Sequence, residues 1–166
     1  MSAVANLRVR GRLERDVTLA PLTSWRVGGP ADWLFEPEDA DDLAYFLAAI
    51  PDSLPRMVLG LGSNVLIRDG GIEGAVIHLA GTLNQRLRVD PERVELGAGL
   101  ACAQAARFCA NAGLTGAEFL AGIPGTVGGA LAMNAGAWGG EIWPLVDWVE
   151  TMDGHGLRRV RTPVDF

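Results

Sequence analysis

The sequence predicts a mixed α/β (α+β) fold arranged as two small lobes. Short apolar runs of strand type alternate with stretches of helical spacing. Hairpin signals recur around Asp90-Pro91-Glu92 and Asp153-Gly154-His155-Gly156. Two glycine-rich loops, at 60–64 and 122–129, fall between those elements, where two lobes can close on an elongated ligand.

In chain order, residues 1–20 read as an arm or short strand, 21–80 as a first α/β lobe and 81–166 as a second. Ala31 to Phe35 is an apolar strand ended by Glu36-Pro37. Asp39 then caps a helix that carries Leu43, Phe46, Leu47 and Ile50 on one face and is stopped by Pro51. Strands are expected at 57–60, 65–67 and 75–79, the last two separated by the turn Asp69-Gly70-Gly71. In the second lobe Leu87, Val89, Val94 and Leu96 alternate with polar residues as a hairpin. A helix over 101–112 turns Cys102, Ala105, Ala106, Cys109 and Ala112 inward, with Gly113 as its stop. Segments 146–152 and 157–161 form the last hairpin.

The loop Gly122-Ile123-Pro124-Gly125-Thr126-Val127-Gly128-Gly129 packs glycines and a proline between apolar neighbours, which describes a tight turn and not a tail. Such a loop can aim backbone N–H groups at a phosphate, and it can equally be a structural turn packed on a sheet. Gly60-Leu61-Gly62-Ser63-Asn64 leaves one apolar run and precedes Val65, again with anion-cradle composition. With Val65 where a third glycine belongs, it is not a dinucleotide fingerprint, and no lysine follows to make a Walker loop. Two such loops without a lysine suit a pyrophosphate held mainly by backbone amides.

Composition narrows the classes. A chain of 166 residues, 49% hydrophobic and 20% charged, buries a core and is not disordered. Its net charge of −6 argues against a nucleic-acid surface, and Arg158, Arg159 and Arg161 read as a solvated strand edge. No apolar run approaches the roughly 18 residues of a membrane span, and no signal-peptide layout opens the chain. Cys102 and Cys109 lie too far apart along one helix for a disulfide, which points to reduced thiols and a cytoplasmic location. His78 and His155 lack metal-ligand spacing, so no metal site is assigned.

Four segments in sequence order carry a family resemblance: Thr23-Ser24-Trp25-Arg26-Val27-Gly28-Gly29-Pro30-Ala31-Asp32; Gly60 to Leu66 with Asp69-Gly70-Gly71; Gly122 to Ala130; and Met133-Asn134-Ala135-Gly136-Ala137-Trp138-Gly139. Over roughly 18–166 the chain resembles the N-terminal FAD-binding part of the UDP-N-acetylenolpyruvoylglucosamine reductase (MurB) family. The resemblance implies a two-lobed FAD-binding domain of the vanillyl-alcohol-oxidase (PCMH) type with FAD between the lobes. It implies that Gly62, Ser63 and Asn64, with their neighbours Gly60, Leu61 and Val65, hold the pyrophosphate. Residues 122–130 would line the rest of the cofactor, and Asn134, Gly136 and Ala137 would lie near the flavin. Neither glycine loop contains His or Cys, so the expected FAD is noncovalent.

The family's reaction passes a hydride from NADPH, by way of the flavin, to the enolpyruvyl double bond of a UDP-sugar during peptidoglycan precursor synthesis. The family's catalytic Arg belongs to a Tyr-Arg-x-Ser motif, and no Tyr-Arg pair occurs here. Its Ser and Glu belong to a substrate-binding domain that the resemblance places beyond this chain. The expectation is therefore a cofactor-binding portion, inactive alone, with no catalytic residue of its own. Ser63 reads as a phosphate ligand or turn residue, since no histidine base is placed for it. Glu118 and Glu141 read as surface carboxylates, and Arg26 as a phosphate ligand or the partner of a nearby acid. Trp25, Trp138 and Trp143 read as core or lobe-interface residues in preference to stacking partners. Another FAD-dependent oxidoreductase of the same superfamily and a non-catalytic nucleotide-binding module remain the competing readings.

Overall fold

A computed structural model describes residues 2–166. The chain opens with a short helix, α1 (Ser2–Ala5), and a strand, β1 (Arg12–Thr18). Then come β2 (Pro30–Glu36), α2 (Ala40–Ala49), β3 (Arg56–Leu59) and β4 (Ile72–His78). These four strands form one sheet in the order β1-β2-β4-β3, with β1 antiparallel to β2 and the other pairs parallel. Within the arm or short strand expected over residues 1–20, Arg12–Thr18 is an edge strand of the sheet.

The central strands β2 and β4 are covered on both faces and so read as continuous apolar runs. Trp33, Phe35, Ala75 and Ile77 meet Leu43, Phe46 and Leu47 of α2, where Phe35 and Phe46 stack with ring centroids 4.2 Å apart. Leu34, Val76 and Leu59 turn the other way, against Leu19 and Ile67. The ladder register shifts between Ala31 and Trp33, and Ala31 joins this second group.

Helix α2 begins as its sequence predicts. The Asp39 carboxylate accepts from Asp42 N–H at 2.9 Å, and the chain turns out of the helix before Pro51. Asp42, only 3% exposed, accepts from the backbone N–H groups of Arg10 (2.8 Å), Gly11 (2.8 Å) and Glu38 (3.0 Å). One buried carboxylate therefore fastens the N-terminal segment to the helix.

The expected strand at 65–67 does not form. β4 takes β2 and β3 as its two neighbours, so residues 65–67 have no place beside it. Residues 60–71 instead cross between the parallel strands β3 and β4 as a helix-free connection, anchored on the sheet by buried Ile67. β4 accordingly starts earlier than expected, at Ile72.

The second half contains the hairpin β5 (Arg86–Arg88) and β6 (Val94–Leu96), then α3 (Cys102–Asn111) and α4 (Val127–Met133). Short ribbons follow: β7 (Gly136–Ala137) with β8 (Gly140–Glu141), and β9 (Val149–Met152) with β10 (Arg158–Arg161). Helix α3 ends as expected at Gly113, with φ of +75°. Leu114 N–H reaches Cys109 C=O at 3.0 Å and Gly113 N–H reaches Ala110 C=O at 3.0 Å, closing a Schellman turn. A separate core joins Cys102, Ala105 and Ala106 to Phe119, Leu120, Val127, Ala130 and Ile142. The last hairpin leans on the first core instead: Met152 packs there, and the Arg56 guanidinium donates to Gly154 C=O.

Candidate cofactor site

The two glycine loops are brought together. A Cβ placed on Gly60 would lie 2.6 Å from Thr126 Oγ1, and one placed on Gly125 would lie 3.5 Å from Ser63 Oγ. Asn64 Nδ2 lies 3.0 Å from Met133 Sδ. The segment 22–29 supports the first loop from behind. Ser24 N–H donates to Gly62 C=O at 3.0 Å, and Gly29 N–H to Arg68 C=O at 2.9 Å. Gly62, at φ of +65°, leaves no room for a side chain, because its Cβ would meet Leu22 O at 2.0 Å.

The loops use their amides differently. Among the described residues, the N–H groups of Gly60, Leu61, Gly62, Ser63 and Asn64 donate to no group of the chain. Those of the 122–130 segment are largely spent within the protein. Ile123 donates to Leu120 C=O (3.1 Å), Gly125 to Ile123 C=O (2.9 Å), Val127 to Leu100 C=O (2.8 Å) and Gly128 to Ala98 C=O (2.8 Å). Gly129 N–H turns to Thr126 Oγ1 at 3.3 Å and Ala130 N–H to Thr126 C=O at 2.8 Å. The sequence gives both loops the composition of an anion cradle; in the structure only the first has a run of unspent donors.

The second loop offers room. A Cβ on Gly125 or Gly129 would make only ordinary contacts, at 3.5 Å and 3.4 Å, so the chain's own packing does not demand glycine there. Gly122 differs, since Trp138 covers it with its ring 2.7 Å from the Cβ position.

Asn134 ends α4 in the left-handed conformation, φ +45°, which asparagine tolerates. Its amide donates to Glu141 Oε2 at 2.9 Å, and Gly136 pairs with Glu141 across β7–β8, so Asn134, Gly136 and Ala137 form one tight corner after α4. Glu141 is thereby an orienting partner of Asn134 as well as a surface carboxylate. Glu118 receives Gly116 N–H at 2.7 Å.

Two tryptophans depart from the core reading. Trp25 is 70% exposed and Trp138 80%, while Trp143 is half-buried and donates Nε1–H to Leu131 C=O at 3.1 Å. Exposed Val27, Leu61, Leu66 and Met133 belong to the same motif segments. No local pattern marks the meeting of Met133 with Asn64, which lie far apart in the chain.

Charge near the loops is sparse. Arg26, at φ of +55°, reaches only Pro21 C=O at 3.5 Å, and among the described residues neither it nor Arg68 makes an ion pair. Arg158 and Arg159 pair with Asp41 and Asp153. Beneath the second loop, burial pushes the Cys102 thiol up to about 11 and raises Cys109 as well. Both are free and buried, and neither has thiolate character. His78 Nδ1 lies 2.7 Å from Glu36 Oε1, within the first half of the chain. A shallow cavity of about 360 Å3 lined by Glu38, Asp39, Asp41 and Arg158 shares no residue with either loop. Among the described residues no helix is long and apolar enough to cross a membrane, and no His, Cys, Asp and Glu group could hold a metal ion.

Residues 31–160 match the FAD-binding domain family. The chain belongs to that family. It is 54% identical over its whole length to the UDP-N-acetylenolpyruvoylglucosamine reductase of Nitrosococcus oceani, covering 56% of that protein. It is 52% identical to the enzyme of the same name from Methylococcus capsulatus, over 95% of this chain and 52% of the relative. The crystal structure of UDP-N-acetylenolpyruvylglucosamine reductase (MurB) from Thermus caldophilus superposes with a TM-score of 0.73 at 35% identity, covering 93% of this chain and 54% of that one. This FAD-binding domain thus spans about half the length of the relatives it matches. Its fold class is the mixed, PCMH-type arrangement that the sequence predicts.

The site's chemistry fits the family. A run of unspent amides suits two phosphates without a lysine, and the side-chain-free surface at Gly125 and Gly129 lets a flat ring system approach the backbone.

Proposed function

We propose that this chain is the FAD-binding part of an NADPH-dependent reductase that converts UDP-N-acetylglucosamine enolpyruvate to UDP-N-acetylmuramate for peptidoglycan precursor synthesis, in the cytoplasm. The observation that carries this reading is the agreement of relatives: proteins named for that enolpyruvoyl-sugar reductase align with 94–100% of the chain at 51–54% identity. In this reading Gly60, Leu61, Gly62, Ser63, Asn64 and Val65 hold the pyrophosphate. Residues Gly122–Gly129 line the remainder of the cofactor, and Asn134, Gly136 and Ala137 sit toward the flavin.

Bound flavin supplies the hydride relay between NADPH and the UDP-sugar. The chain's residues bind and orient, and no proton-transfer step is assigned to any of them. The cofactor is held noncovalently, because neither loop carries a His or Cys and the chain's thiols are buried.

An absorbance spectrum of the purified chain, taken before and after FAD is added and the excess removed, tests the assignment. A retained flavin band, released as free FAD on denaturation and bleached slowly or not at all by NADPH alone, is the expected result. A folded chain that retains no band would overturn it.

A further inference from the structure

We propose that Thr126 is a positioning residue that joins the two glycine loops and sets the conformation in which the 60–64 amides are presented. This rests on reading 60–64 as the pyrophosphate cradle. A loop whose amides bond to nothing among the described residues needs contacts from elsewhere in the fold to hold its shape. Thr126 supplies one from the second core.

Thr126 itself is fixed. It is 3% exposed, and its Oγ1 accepts from Gly129 N–H at 3.3 Å as the N-cap of α4. Its backbone bridges Ala101 on an antiparallel pair, flanked by Val127 N–H to Leu100 C=O at 2.8 Å and Cys102 N–H to Gly125 C=O at 2.9 Å. The side chain cannot move without giving up the N-cap of α4.

What Thr126 fixes is the point where the first loop leaves β3. A Cβ on Gly60 would lie 2.6 Å from Thr126 Oγ1, 3.2 Å from Cγ2 and 3.5 Å from Cβ. Gly60 therefore rests directly on the threonine side chain, with its hydroxyl the nearest atom. The contact crosses from the core of the sheet to the core of α3 and α4, so the second half of the chain pre-shapes a cradle built on the first.

The geometry defines a compensation experiment. FAD dissociation constants come from flavin fluorescence, fold integrity from melting of the FAD-free chain, and cradle geometry from the 31P resonances of bound FAD. Gly60→Ala is expected to weaken FAD about tenfold or more by overpacking against Thr126. Adding Thr126→Ala removes the 2.6 Å and 3.2 Å contacts and is expected to restore several-fold of that loss. Thr126→Ala alone is expected to shift the 31P resonances, whereas Thr126→Ser, which keeps Oγ1, leaves them in place.

Losses that simply multiply in the double variant, with 31P positions unmoved by Thr126→Ala, would overturn the proposal. Should Gly60→Ala not fold, equal affinities and equal 31P positions for Thr126→Ala and Thr126→Ser would overturn it alone. An unaltered, folded chain that binds no FAD refutes the cradle reading and this proposal with it, and that outcome is visible before any variant is made.

Discussion

The loops at 60–64 and 122–129 look alike in sequence, yet they do opposite things with their backbones. The first keeps its amides unspent and is held by its carbonyls and glycines, as where Ser24 N–H reaches Gly62 C=O at 3.0 Å. The second spends its amides on the chain, on Leu100, Ala98 and its own Thr126 cap. Glycine in the first permits a backbone path. In the second, at Gly125 and Gly129, it clears a surface. Glycine-rich composition therefore names a loop without saying whether its donors are available. That depends on which acceptors the fold places opposite them.

The strongest way to break the contrast is Gly62→Ala. Its φ of +65° and the 2.0 Å approach to Leu22 O make alanine a backbone clash. The expected cost is about 3 kcal/mol or more, with FAD binding lost, read by denaturant unfolding and fluorescence titration. A variant with unchanged stability would mean that the loop relaxes freely.

Asp42→Ala provides the control outside both loops. Orphaning the N–H groups of Arg10, Gly11 and Glu38 is expected to cost about 1–3 kcal/mol, while the FAD affinity of the folded chain stays constant. A parallel loss of affinity would show that the N-terminal strap and the cradle are one unit.

Alkaline pH reaches the helix beneath the second loop. Burial raises the Cys102 thiol from 9.0 to about 11, so the unfolded chain gives up that proton first. Its contribution to stability is full below about pH 9 and is lost as pH rises toward about 11. Chemical unfolding across that window should show the decline, and Cys102→Ala should make it shallower, with Cys109 accounting for what remains.

Gly129→Ala gives the smallest stability change and the sharpest test. The position is helical with room for a Cβ, so alanine should stabilise the FAD-free chain by about 0.5–1 kcal/mol. FAD affinity should fall about tenfold as the cleared surface is filled. Opposite signs would show that glycine is there for the ligand; equal affinity would return the loop to a purely structural part.

Much of the fold was legible because it is local. Asp39 before an i, i+3, i+4 apolar face gives α2, Gly113 ends α3, and the alternation around 87–96 gives its hairpin. The strand expected at 65–67 was not legible. Val65, Leu66 and Ile67 have strand propensity, and only the sheet order shows that both edges of β4 are taken. The exposure of Trp25 and Trp138 escaped in the same way, since an aromatic side chain in a glycine-rich segment carries no mark of which face it takes.

By itself the sequence determined the α/β class, the two glycine loops and the membership of the FAD-binding family, because each is written in contiguous residues. Only the tertiary structure decided which loop's amides are free and that Thr126 of one rests on Gly60 of the other. Hydrogen-bond partners and steric contacts join residues far apart in the chain, and local pattern holds no information about them.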